Sequence, residues 1–248
     1  MIFKETGNSQ MATIILLHGG GLSFWSWQKT AEQLRSEFHV VTPIIDGHGE
    51  NGNEEFISIQ DSARKIIKYI DLNHNGRVFA ICGLSIGAQI IIEILSQRPE
   101  ITEYAVIESA LVYKIRGIRI FCALYNFLYG LIKIKWFSKL QAKALNLPEY
   151  MFDMYYEDSQ KMSKPSLINI TLSNGNYSLK NSIQDIKSKV LIILGEKETR
   201  VMRKSGQKLH EAIENSQLYI SPGMGHGELS LVYPDKYTAL VKSFFARA

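Results

Sequence analysis

The chain has 248 residues, 46% hydrophobic and 21% charged, and its 28 basic and 24 acidic side chains leave a net charge of +4. That length fits one large domain or a core with an insertion, and it buries about 70–75% of the unfolded surface without metal or disulfide staples. The composition excludes disorder, collagen and coiled coil, and the charge excess is too small to argue for nucleic acid.

From the N-terminus, Met1–Gly21 has no basic segment ahead of an apolar one, so no signal peptide is expected. Thr13–Leu17 reads as a short strand ending at His18-Gly19-Gly20-Gly21. Trp27, Ala31, Leu34 and Phe38 have helical spacing. His39–Ile45 is the next strand, stopped by Asp46-Gly47-His48-Gly49. Helical spacing returns through Ile59, Ala63, Ile66, Ile67 and Ile70, within Phe56–Ile70. Arg77–Cys82 reads as a strand, Ile86–Gln97 as a helix closed by Pro99, and Tyr104–Ile107 as a strand. After a long interruption come a strand at Val190–Leu194, a helix at Met202–Ile213, a strand at Gln217–Ser221 and a last helix opened by Pro234.

Alternating strands and helices with continuously apolar strands predict an α/β fold: a three-layer sandwich around a mostly parallel central sheet. Functional loops then fall at the C-terminal edge of that sheet. The interruption, 111–165, is read as an inserted helical cap, leaving 1–110 and 166–248 as the core. A turn is expected at Asn174-Gly175-Asn176 on the path back to the sheet. The most apolar stretch, Ile120–Ile132, covers 13 residues, short of the roughly 20 a membrane span needs. No stable membrane insertion and a cytoplasmic location are expected. Cys82 and Cys122 lie in apolar runs and read as reduced, buried thiols.

Three clusters carry chemistry. Gly83-Leu84-Ser85-Ile86-Gly87 follows a strand and precedes a helix, the context a G-x-S-x-G nucleophile elbow requires. So sharp a turn needs tiny neighbours, and it projects Ser85 at a helix N-terminus. His18-Gly19-Gly20-Gly21 leaves backbone N–H groups open, and those of Gly20 and Ile86 are the candidate oxyanion hole. His226, in Gly225-His226-Gly227 after the last strand, is the candidate base that would activate Ser85. His18 and His48 read as structural. His39, His74 and His210 read as surface or packing residues. No metal-ligand spacing and no nucleotide-binding fingerprint is present, so neither metal nor cofactor is expected.

On these motifs the chain resembles the α/β-hydrolase superfamily, from about Thr13 to the last helix, with an esterase- or lipase-like site under a helical cap. Asp46-Gly47-His48-Gly49 fits the family's turn after the second strand, and the leading hairpin is reduced to Met1–Gly7. The resemblance implies a nucleophile–acid–histidine order. The family usually places an aspartate three residues after a glycine here, whereas this chain has Gly195-Glu196-Lys197-Glu198. Glu198 matches the acid with one extra methylene. Glu108, after the preceding strand, is the alternative acid, with Glu196 and Glu228 further off.

Residues 111–165 hold nine basic and four acidic side chains and 11 of the 26 aromatics. Trp25, Leu84, Tyr125 and Tyr129 are candidate pocket residues, although Trp25 and Trp27 fit helix packing equally well. The expected activity is hydrolysis of a small or medium apolar carboxylic ester through an acyl-enzyme on Ser85. Thioester cleavage, C–C hydrolysis or acyl transfer on an anionic substrate is the alternative, and a non-catalytic binding protein the third. The expected partner is a small-molecule ester.

Overall fold

A computed structural model describes residues 1–120, 122–123 and 129–246. Seven strands form one sheet: β1 Ile2–Thr6, β2 Thr13–Leu17, β3 His39–Ile44, β4 Val78–Leu84, β5 Thr102–Glu108, β6 Lys189–Gly195 and β7 Ser216–Ser221, in the spatial order β1-β3-β2-β4-β5-β6-β7. Only β1 runs antiparallel, against β3, and the other pairs are parallel. Met1–Gly7 thus supplies one edge strand where the related fold carries a hairpin.

The period-2 alternation of side chains explains the layers. On β2, Ile15 and Leu17 face one core with Ile59, Ala63, Ile66 and Ile70 of α2 (Ile59–Asn73) and Ile90, Ile91 and Ile94 of α3 (Ile86–Gln97). Ile14 and Leu16 face a second core with Trp27, with Ala31 and Leu34 of α1 (Gln28–Leu34), and with the last helix, Pro234–Ala246. Two apolar cores on two faces of one sheet make the three-layer α/β sandwich that the alternation predicts.

Local chemistry sets the helix ends. Helix α2 starts at Ile59, not Phe56, because the Ser58 hydroxyl accepts from the Asp61 N–H and caps it. A 3₁₀ turn, Phe24–Trp27, precedes α1, so the helix begins one residue later than its apolar spacing suggests.

Between β5 and β6 lie α4 (Lys135–Ala144), α5 (Phe152–Lys161) and α6 (Lys164–Asn176). The expected turn at Asn174-Gly175-Asn176 is absent: these residues are the last turn of α6. Gly175 serves close packing, since a Cβ there would sit 2.5 Å from Ile118. After β6 come α7 (Arg200–Ala212), α8 (Glu228–Val232) and α9 (Pro234–Ala246). Among the described residues no helix is long and apolar enough to cross a membrane.

Candidate active site

Ser85 stands where β4 turns into α3, with φ +56° and ψ −113°. A left-handed φ on a non-glycine residue is strained and persists only where its surroundings enforce it. They do so tightly here. A Cβ at Gly83 would lie 2.8 Å from the Gly87 carbonyl carbon, and one at Gly87 would lie 2.4 Å from the Leu17 carbonyl oxygen. The two glycines therefore let β4, α3 and the end of β2 touch. The Ser85 N–H donates to the Glu108 carbonyl at 2.9 Å, which anchors the turn to β5.

Next to it lies the glycine loop 18–21. A Cβ on Gly20 would be 3.7 Å from Ile86 Cγ2 and 3.4 Å from Ile170 Cγ2. Gly20 and Ile86 are thus neighbours, and α6 covers them. His18 is fully buried and holds this loop: the Ile45 N–H donates to its Nε2 at 3.1 Å, and Nδ1 lies 2.9 Å from the Gly19 carbonyl. Burial, then the neighbouring His48, push its pKa down to about 3, so it is a neutral strut. His48 is also buried, with a pKa lowered by burial, and holds the Asp46 carbonyl at 2.9 Å. The two rings meet edge to face at 5.0 Å.

The four candidate carboxylates separate by contact. Glu198 Oε2 lies 3.2 Å from His226 Nδ1. Glu108 Oε1 accepts from the Ser230 N–H, Glu196 from Gly223 N–H and Glu228 from Gly225 N–H. Glu198 is buried, while the His226 side chain is 40% exposed. An imidazole that donates Nδ1–H to a carboxylate presents the Nε2 lone pair for a proton. Burial raises the Glu198 pKa, but His226, the Ser109 hydroxyl and the Gly195 N–H outweigh it and hold it below the usual carboxylate value. Glu108 is fully buried, and burial pushes its pKa up to about 7.

Ser109 is the residue the sequence did not single out. It follows β5 with φ +57° and is 1% exposed. Its hydroxyl donates to Glu198 Oε1 at 2.5 Å and accepts from the Gly227 N–H at 3.3 Å. A polar residue immediately after a strand that ends on the functional edge was the available signal.

Leu84 is 2% exposed and lies between the glycine loop and the histidine loop: a Cβ on Gly19 would be 3.6 Å from it, and one on Gly227 2.9 Å. The Trp25 indole N–H donates to Asp158 Oδ2 on α5 at 2.7 Å, tying the loop after β2 to the segment above it. Trp27 turns away and packs on Tyr237, with 5.3 Å between ring centroids. The Tyr129 hydroxyl donates to the Met162 carbonyl. Tyr125 lies outside the described residues. Among those described, no group of three or more His, Cys, Asp or Glu is placed to hold a metal ion.

A strained serine at a strand–helix turn, a glycine loop beside it and a carboxylate-bound histidine on the same sheet edge define the α/β-hydrolase class. The sequence profile of the family described as serine aminopeptidase, S33, matches residues 8–230, and the chain belongs to that family of the α/β-hydrolase superfamily. An AB hydrolase superfamily protein of Gibberella zeae is 27% identical over 99 residues, which is 40% of this chain and 35% of that protein. The chain is also similar to MGS-M2, an α/β hydrolase from a Medee basin deep-sea metagenome library, with TM-score 0.82 and 18% identity, covering 100% of this chain and 94% of that one. A structure from work on carboxylesterases of the ammonia-oxidizing Thaumarchaeon Nitrososphaera gargenis gives TM-score 0.80 and 17% identity, covering 99% and 93%. Identities this low carry the fold.

Proposed function

We propose that the protein is a serine hydrolase of carboxylic esters with apolar acyl or alcohol parts. The observation that carries this reading is the placement of Ser85, at φ +56° on the sheet edge that also holds the Glu198–His226 pair. In the proposed reaction Ser85 Oγ attacks the carbonyl carbon as His226 Nε2 takes its proton. The N–H groups of Gly20 and Ile86 hold the oxyanion. His226 returns the proton to the departing alcohol and leaves an acyl-enzyme. Water, deprotonated by His226, then attacks the acyl carbon and releases the acid and Ser85.

An aminopeptidase reaction would proceed through the same acyl-enzyme but needs a carboxylate to capture the substrate's α-ammonium. The excess charge over 111–165 is basic, which favours a neutral or anionic ester. The test is labelling with a fluorophosphonate together with turnover of a short-chain chromogenic ester and of an aminoacyl anilide. Labelling and ester turnover that both vanish in Ser85→Ala are expected. Equal ester turnover by Ser85→Ala, or faster cleavage of the anilide than of the ester, would refute the reading.

A further inference from the structure

A cavity of about 710 Å³ opens between α4, the chain after it and α8. Its lining includes neither Ser85 nor His226. Its size falls within the range of small-molecule sites. Trp136, Leu140, Leu147, Phe152 and Val232 make its walls. Trp136 is 61% exposed and Leu140 58%, and they stand four residues apart on one helix, so the two side chains share a face. Large apolar groups held open in a concave wall are worth about 25 cal/mol per Å² to whatever covers them.

Lys139 and Lys143, again four apart on α4, also line the cavity. Neither makes an ion pair among the described residues. Of the two acidic lining residues, Glu228 is engaged by the Gly225 N–H at 2.7 Å, and Glu149 lies on the short turn after α4. An apolar trough with two ammonium groups from one helix matches an apolar chain that ends in an anion.

Two residues of the cavity lining, Asn146 and Glu228, also hydrogen-bond the histidine loop. Asn146, at φ +54°, directs Nδ2 toward the His226 carbonyl at 3.4 Å, and Glu228 holds Gly225. We infer that this cavity is a second site, which binds an alkyl carboxylate with its chain along Trp136 and Leu140 and its carboxylate at Lys139 and Lys143. Its ligand is of the class that ester hydrolysis releases, and in that one respect the inference rests on the proposed function.

The Ser85→Ala protein, titrated with sodium decanoate below its micelle concentration, tests this without turnover. Trp25 and Trp27 are 4% and 1% exposed, so a change in exposed indole emission reports Trp136. A saturable blue shift is expected, absent in Trp136→Phe. Calorimetry should show at least about tenfold weaker binding, about 1.4 kcal/mol, for the Lys139→Glu/Lys143→Glu double variant. Decanol, with no anionic head, should bind less tightly than decanoate. No saturable shift, undiminished affinity in the double variant, or a shift with phosphatidylglycerol vesicles but not with decanoate would overturn the inference, the last in favour of a lipid surface. Decanoate binding by a protein that cleaves no ester would leave the site standing and remove the hydrolase reading. Ester cleavage without decanoate binding would do the reverse.

Discussion

Glutamate carries its carboxylate one methylene further from the backbone than aspartate, and the hydroxyl of Ser109 meets the oxygen that His226 does not use. In the proposed reaction Ser109 would therefore act by positioning Glu198. Hydrogen bonds to charged groups contribute about 1.5–3 kcal/mol, so Ser109→Ala should lower kcat roughly ten- to a hundredfold with little change in KM. Ser109→Cys, an unbranched side chain with a weaker donor, should restore part of the loss, and steady-state kinetics at fixed pH would decide. Glu198→Gln should cost on the order of 10⁴-fold in kcat, the scale seen when a triad acid loses its charge. Glu108→Gln should cost far less, because Glu108 bonds the Ser230 N–H and not the imidazole.

Glu108 should show instead in stability. Below about pH 4.5 it is protonated in folded and unfolded chains alike. Between about 4.5 and about 7 the unfolded chain ionises while the folded chain keeps the proton. The unfolded state then binds fewer protons, and stability falls as pH rises, by up to about 1.4 kcal/mol per pH unit. Glu198 has the opposite sign: its lowered pKa contributes stability above the usual carboxylate range, lost on acidification. Urea unfolding from pH 4.5 to 7 should give a shallower decline for Glu108→Gln than for wild type, and an unchanged slope would refute this assignment. Ser85 and His226 were legible because glycines flank them beside strand ends. Ser109 was not, because its partner lies 89 residues away and only the register of β5 against β6 brings the two together.

At the scale of elements, the turn from β4 into α3 is a close junction of three backbone segments. Gly87→Ala would drive a Cβ to 2.4 Å from the Leu17 carbonyl oxygen. Backbone cannot rotate away as a side chain can, so a loss of roughly 1–3 kcal/mol is expected, read by chemical denaturation. Activity should fall further than stability, because the same contact sets Ser85 beside the glycine loop. Helix α3 was readable to the residue, since its apolar run is bounded by the elbow and by Pro99. Helix α6 was not. Asn174-Gly175-Asn176 has turn chemistry, but Ser163 caps the helix, Pro165 fits its first turn, and Gly175 is needed to admit Ile118. A glycine chosen for close approach and one chosen for a turn look alike in sequence.

For the whole molecule, the basic excess lies in one segment. Residues 111–165 hold nine basic and four acidic side chains, and α5 within it touches the loops around Trp25 and Gly49. Charge so placed attracts anions over distances that salt shortens. For an ester bearing a carboxylate, kcat/KM should fall several-fold between low and high ionic strength, while a neutral ester of the same size should respond little. Equal responses would show that the basic face plays no part in substrate capture.

The Glu198 carboxylate is held by groups that follow three different strands: Ser109 after β5, Gly195 at the end of β6 and His226 after β7. Parallel strands pair across long stretches of chain, and such contacts form late because loop closure must come first. Glu198, Ser109 and His226 therefore meet only when the second half of the sheet has docked. On refolding from urea, ester turnover should return after the helical circular dichroism signal, making the active site a clock for the last long-range step of folding.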